Sequence, residues 1–196
     1  MKKMGTGHSK HKQSSFFKTN WKHQYSYGGI LRNKRDGRKA RPLSSREPVH
    51  LVFKLNSSRL RRRSLRASQE FALATKIIKK YACYFNVKIE QLSIQSDHIH
   101  ALIRTTRRSQ FQHFFRVVAG QIAQRFKKEG LFTNLVTDTQ GLWKHRPFTR
   151  VIRGWRAYKI VRHYIQMNEQ EAQGNIRYQK RRLKGLSSSD WQVLWT

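Results

Sequence analysis

The run Ser96-Asp97-His98-Ile99-His100-Ala101-Leu102-Ile103-Arg104 sets two imidazoles two residues apart. On a β-strand successive side chains alternate between faces, so His98 and His100 point the same way. Ile99, Ala101 and Ile103 then point the other way, toward a core. Two imidazoles side by side on an open sheet face can ligate one divalent cation. Two solvated histidines are the plain alternative. Further along, Tyr164 and Asn168 are four residues apart and share a helix face, bordered by Ile160, Val161 and Ile165. A tyrosine in that setting can be an amphipathic core residue. A buried asparagine is harder to place, because its amide needs partners, and a metal ion or a phosphate oxygen supplies one.

The flanking pattern shows which elements would carry these residues. Val49, Leu51, Phe53 and Leu55 alternate with His50, Val52 and Lys54, as in a strand. Ser68 stands where an N-cap belongs. After it Phe71, Ala74, Ile77, Ile78, Tyr81 and Phe85 recur at three and four, a helical stripe. Val87 to Ile94 and His98 to Arg104 read as two strands joined through Gln95, Ser96 and Asp97. Ser109 is placed to cap a second helix, striped by Phe111, Phe114, Phe115, Val118, Ile122 and Phe126 and stopped at Gly130. Trp143 to Ile152 reads as a fourth strand, with Pro147 favouring an edge or a bulge. A last helix spans about residues 156–170. The first six elements follow the split βαβ order, so the expected fold is α+β. It is a ferredoxin-like four-stranded antiparallel sheet with two helices on one face. The extra C-terminal helix carries Tyr164, and the open face is available to it.

The chain has 196 residues, with 42 Lys and Arg against 10 Asp and Glu, a net charge of +32. Such self-repulsion calls for a polyanionic partner. Nucleic acid is the first candidate and an anionic membrane surface the second. An acidic solvating protein is excluded. Residues 1–46 carry a net +12 with several glycines and no sustained periodicity, and read as a flexible basic DNA-contacting arm. Its Phe16, Phe17, Trp21, Tyr25 and Tyr27 can stack on unpaired bases or wrap back onto the domain. Residues 47–172 read as the working domain and 173–196 as a basic tail. One cysteine, Cys83, excludes a disulfide framework and reads as a small core residue. The start lacks the apolar run of a signal peptide, and no apolar stretch reaches the roughly 20 residues of a bilayer span.

Taken together, Asp97-His98-Ile99-His100 and Tyr164-Ile165-Gln166-Met167-Asn168 resemble the two motifs of the HUH-type single-tyrosine transposases, especially the REP-associated tyrosine transposases. Leu142-Trp143 with Arg146-Pro147-Phe148 through Ile152 resembles that family's Trp-x-x-x-x-Phe strand region, and Val49-His50-Leu51-Val52 its first strand. The likeness covers about residues 46 to 172. Two positions depart from the pattern: Asp97 stands where Asn is common, and Glu169 where Pro is common.

The resemblance implies metal-dependent cleavage of single-stranded or hairpin DNA and strand transfer through a covalent 5′-phosphotyrosine. Tyr164 would be the nucleophile. His98, His100 and Asn168 would hold Mg²⁺ or Mn²⁺. The protein would act as a monomer or homodimer in the prokaryotic cytoplasm, near the nucleoid, without a membrane. Candidate DNA contacts are Arg61, Arg62 and Arg63 after the first strand, and Arg104, Arg107 and Arg108 after the histidine strand. Arg146 and Arg150 near the fourth strand, and Lys180, Arg181 and Arg182 in the tail, complete that set.

Other residues and readings compete. Tyr158, about 600° around the helix from Tyr164, is the runner-up nucleophile. His50 shares the face of the His pair and reads as a solvated bystander. A non-catalytic RNA- or DNA-binding sheet is the second function class, although such sheets carry stacking aromatics where His98 and His100 stand. A replication initiator or relaxase of the same class is the third. Relaxases commonly add another motif histidine and initiators a lysine three or four residues after the tyrosine, where this chain has Met167 and Asn168.

Overall fold

The computed structural model describes residues 25–30, 40–132 and 141–195. The expected arm residues Phe16, Phe17 and Trp21 lie outside them. Five strands form one antiparallel sheet: β1 (Ser26–Tyr27), β2 (Val49–Lys54), β3 (Lys88–Ile94), β4 (His98–Arg104) and β5 (Phe148–Val151). Their order in space is β1-β5-β2-β4-β3. The helices are α1 (Ser68–Tyr84), α2 (Arg108–Lys128), α3 (Trp155–Gln173) and α4 (Ser188–Trp195). Strands β2 to β5 have the ferredoxin-like order, each pair separated by a helical crossover or a tight turn.

The period-two pattern of β2 divides its residues cleanly. Val49, Leu51 and Phe53 are buried in the main core with Ile99, Ala101 and Ile103 of β4. The α2 stripe, from Phe111 to Phe126, closes that core, joined by Ala74, Ile77 and Ile78 of α1. The other face of the sheet is covered by α3. Leu102, on the histidine face of β4, is fully buried with Ile152 and Ile165 in a second, smaller core. Leu102→Ala would remove that wedge at a cost of about 2–5 kcal/mol.

Several expectations are corrected. The sheet has five strands, because Ser26–Tyr27 pairs with β5, Ser26 opposite Arg150 and Tyr27 opposite Thr149. Two residues are too few for a periodic signal, so this strand is invisible to patterning. Gly28 makes the approach possible: it sits at φ +84, and a Cβ there would lie 2.2 Å from the Pro147 carbonyl oxygen. Arg41 clamps the same corner, donating at 2.8 Å to the Pro147 carbonyl and to Thr149 Oγ1. Burial, opposed by Tyr27 and helped by Arg146, brings this guanidinium down to about 10.

The fourth expected strand is shorter than the 143–152 span. Trp143 makes an isolated bridge to Leu55 and donates its indole N–H to the Ala119 carbonyl at 2.9 Å. Pro147 stands just before β5, outside its ladder, and β5 lies between β1 and β2 rather than at an edge. The two expected serine caps lie inside their helices: the N-cap positions are Ala67 and Arg107, both extended and without a side-chain cap. Cys83 is exposed, because Ala82 beside it takes the buried place on α1. Residues 173–195 fold back: Ile176 and Leu194 bury against Met167 of α3, with Leu183, Leu186 and Trp191 packed around them.

Candidate active site

Strand β4 delivers the two histidines. His98 is half-buried at its start, and His100, two residues on, is 6% exposed. Their rings meet edge to face with centroids 4.6 Å apart. Each has one ring nitrogen committed to a neighbour. His98 Nδ1 lies 2.5 Å from Asp97 Oδ1, and Asp97 in turn pairs with Lys54 of β2. His100 Nδ1 lies 3.1 Å from His50 Nε2, and these two rings stack at 5.2 Å. If Nδ1 of each motif histidine carries the hydrogen, His98 donates to the carboxylate and His100 to His50. Both then turn a lone pair outward on Nε2. His100 Nε2 is buried and has no hydrogen-bond partner.

The electrostatics hold these groups in the states that the geometry needs. Burial, then the neighbouring His50, His98, Arg182 and Lys54 charges, pushes His100 down to about 2. Burial and Arg150 push His50 down to about 4. Both shifts favour the neutral ring. Burial raises the Asp97 carboxyl, but hydrogen bonds from Lys54 and His98 outweigh it and hold the group below the usual carboxylate range.

Helix α3 delivers the tyrosine and the asparagine. Tyr164 stands edge-on to His100, centroids 5.5 Å apart at 80°. Asn168 is buried, and its Nδ2 donates to the Tyr164 carbonyl at 2.9 Å. Its Oδ1 accepts from the Arg182 guanidinium. Three polar contacts pin this part of α3 to the end of β3, to the turn that follows it and to the segment before α1. Gln95 Nε2 donates to the Asn168 carbonyl at 2.6 Å, Arg66 Nη1 to Glu169 Oε1 at 2.9 Å, and the Ile94 amide to Glu169 Oε2 at 3.3 Å. The departing residues Asp97 and Glu169 thus act as an orienting carboxylate and a helix anchor.

A family model for IS200-like transposases matches residues 46–168. The chain belongs to that family. The match begins at Arg46 and ends on Asn168, so it spans β2 to the middle of α3. Among solved structures, this transposase is similar to a REP-associated tyrosine transposase bound to a REP hairpin. The two are 17% identical, with 72% of this chain and 77% of that chain covered, at a TM-score of 0.54. A candidate transposase from Deinococcus radiodurans R1 is 16% identical, with 68% of this chain and 98% of that chain covered, at a TM-score of 0.44. No curated protein sequence matches. The first likeness supports the fold of the transposase, a mixed α+β domain on an antiparallel sheet.

Within the transposase, the residues singled out by spacing are partly assembled. His98, His100 and Tyr164 meet through their rings, and Asn168 bonds to the Tyr164 carbonyl and to Arg182. His50, expected as a bystander, is a partner of His100; the signal was its place on the same face of β2. Tyr158 lies elsewhere, stacked on Trp155 at 5.2 Å, and burial followed by Glu90 raises its phenol. Among the basic residues, Arg150 is opposite His50 across the sheet. Arg104 is held by Glu90 at 2.9 Å and Arg62 reaches to 4.0 Å from the buried Glu70. Arg61, Arg63, Arg107, Arg108, Lys180 and Arg181 are exposed. Arg146 lines a cavity of about 540 Å³ with Tyr27, Arg41, Phe115 and Arg116, on the α2 side of the sheet rather than with the His pair. Arg182 turns inward. Among the described residues no cluster of three or more His, Cys, Asp or Glu could hold a metal, and no helix is long and apolar enough to cross a membrane.

Proposed function

We propose that this transposase cleaves single-stranded, hairpin-bearing DNA and rejoins it through a covalent bond to Tyr164. The observation that carries this reading is the placing of the Tyr164 ring against His100, whose Nε2 is buried and without a partner. A phenol beside an imidazole nitrogen left without a partner suits attack on a phosphodiester held there. Tyr164 Oη bonds to phosphorus, the bond from phosphorus to O3′ breaks, and a 5′-phosphotyrosine and a free 3′ hydroxyl result. The proton lost by the phenol balances the one taken up by the departing oxygen. A 3′ hydroxyl can later reverse the step, so no nucleotide triphosphate is needed.

The donor set fits a hard divalent cation, Mg²⁺ or Mn²⁺. His98 and His100 present Nε2, and Asn168 Oδ1 keeps a second lone pair beside the one engaged by Arg182. Such an ion, when bound, neutralises charge on the phosphate in the in-line transition state. Asp97 and His50 fix the imidazole tautomers for that purpose. In this reading Tyr164 acts with the histidines of its own chain, and the protein works as a monomer or homodimer. The hairpin preference draws support from the REP-hairpin complex of the similar structure. The exposed arginines and Lys180, together with the net charge of +32, supply the phosphate contacts.

The test is direct. The protein is incubated with a labelled hairpin-bearing strand and Mn²⁺ and run on a denaturing gel. A covalent adduct that disappears in Tyr164→Phe is expected. An adduct that persists in that variant overturns the assignment of the nucleophile, and retarded DNA with no adduct favours a binding-only protein.

A further inference from the structure

Arg182 lies beyond the stretch that matches the family, which ends at Asn168. Of the five basic residues after that point, Arg177, Lys180, Arg181 and Lys184 are exposed and Arg182 alone turns inward. It does so from an unfavourable backbone: its φ is +56, a conformation that residues with a Cβ seldom adopt and that clusters at working sites. The segment that carries it is docked, with Ile176 and Leu194 buried on Met167 and Gln166 Nε2 bonded to the Leu194 carbonyl.

The guanidinium makes four contacts at once. It donates to Asn168 Oδ1, and its Nη1 lies 3.0 Å from Glu171. Its carbon sits 5.4 Å from the centroid of Tyr164 and 5.1 Å from that of Tyr178. A surface ion pair with Glu171 alone would require neither the left-handed backbone nor the two rings. The bond to Asn168 decides which way that buried amide faces, since Nδ2 is held by the Tyr164 carbonyl and Oδ1 by Arg182. The Tyr164 ring is likewise walled on two sides, by the edge contact with His100 and by the guanidinium.

We propose that Arg182 is a positioning residue of the active site. Its planar fork fixes the Asn168 amide and holds the Tyr164 ring against His100, so that phenol and imidazoles face one phosphate. This rests on Tyr164 being the nucleophile.

The experiment measures single-turnover adduct formation on a hairpin-bearing strand with Mn²⁺ at saturating protein. The dissociation constant for the same DNA is measured in the Tyr164→Phe background, with and without the added change. Arg182→Ala is expected to slow the covalent step by about 100-fold, as losing an orienting partner does, while DNA affinity stays level. Free guanidinium ion is expected to restore the rate, and sodium chloride at equal ionic strength is not. Arg182→Lys, which keeps charge and stem but lacks the fork, is expected to stay slow; it carries the test if Arg182→Ala melts early. An unchanged or faster rate in both variants overturns the proposal, the faster one marking Arg182 as a plug. Rate and affinity falling together without guanidinium rescue also overturns it, marking a DNA contact. A wild-type protein that forms no adduct overturns the nucleophile assignment and this proposal together. A wild-type adduct that Arg182→Ala forms at full rate overturns this one alone.

Discussion

Tyr164 and His100 meet edge to face with ring centroids 5.5 Å apart, although 63 residues of chain and two different elements separate them. His50 backs the imidazole at 3.1 Å, and Arg182 backs the phenol ring from the other side. The surroundings of Tyr164 are therefore built by a sheet, a crossing helix and a returning C-terminal segment together.

The two tyrosines of α3 are expected to behave differently. Tyr164→Phe should abolish the covalent adduct. Tyr158→Phe should retain it with a rate near wild type, because Tyr158 faces Trp155 and Glu90 rather than the His pair. Denaturing gels of both variants with one labelled hairpin decide the matter. Adduct lost in Tyr158→Phe and kept in Tyr164→Phe would reverse the roles.

Asp97→Asn tests the orienting carboxylate. The change keeps the shape but removes the charge that sets the His98 tautomer and pairs with Lys54. Mn²⁺ affinity, read by electron paramagnetic resonance titration without DNA, is expected to fall by about 10-fold or more. Affinity equal to wild type would mean that Asp97 serves only the ion pair with Lys54.

Acid should destabilise the fold through the buried imidazoles. His50 titrates at about 4 when folded against an ordinary 6.5, with burial the first cause and Arg150 the second. His100 is pushed further in the same direction. The unfolded chain binds more protons across that interval, so this contribution is complete above 6.5 and is lost as pH falls toward 4. Melting temperature should thus drop between about pH 7 and about pH 4, and less steeply in His50→Phe. A melting temperature with the same slope in that variant would remove His50 as a cause.

Gly28→Ala should loosen the added edge strand. The new Cβ meets the Pro147 carbonyl at 2.2 Å on a backbone at φ +84, so strain of about 1–3 kcal/mol is expected. Limited proteolysis around residues 25–30, followed by mass spectrometry, should show faster cutting than in wild type. Equal cutting would show that β1 holds by its backbone pairing and the Arg41 clamp alone.

The sequence speaks most clearly where one residue type repeats at one period. The bounds of β4 and the buried stripe of α2 emerge as read, because six apolar residues at three and four leave one solution. Spacing plus a resemblance grouped His98, His100, Tyr164 and Asn168, and of these His98, His100 and Tyr164 meet through their rings. The contacts of His50 and Arg182 were not visible for a shared reason: they cross the fold, to His100 from a neighbouring strand and to Asn168 from fourteen residues downstream. The N-caps were misplaced, by one residue at α1 and by two at α2, because the helix starts use extended Ala67 and Arg107 without any side-chain bond. Strand β1 was missed because two paired residues carry no period.

The three polar contacts from Gln95, Arg66 and Ile94 to Asn168 and Glu169 tie α3 to the end of β3, the turn after it and the segment before α1. In the proposed reaction, contacts that keep α3 in place would leave exchange of the incoming 3′ end to the DNA, which would trade places at a tyrosine that stays beside the imidazoles.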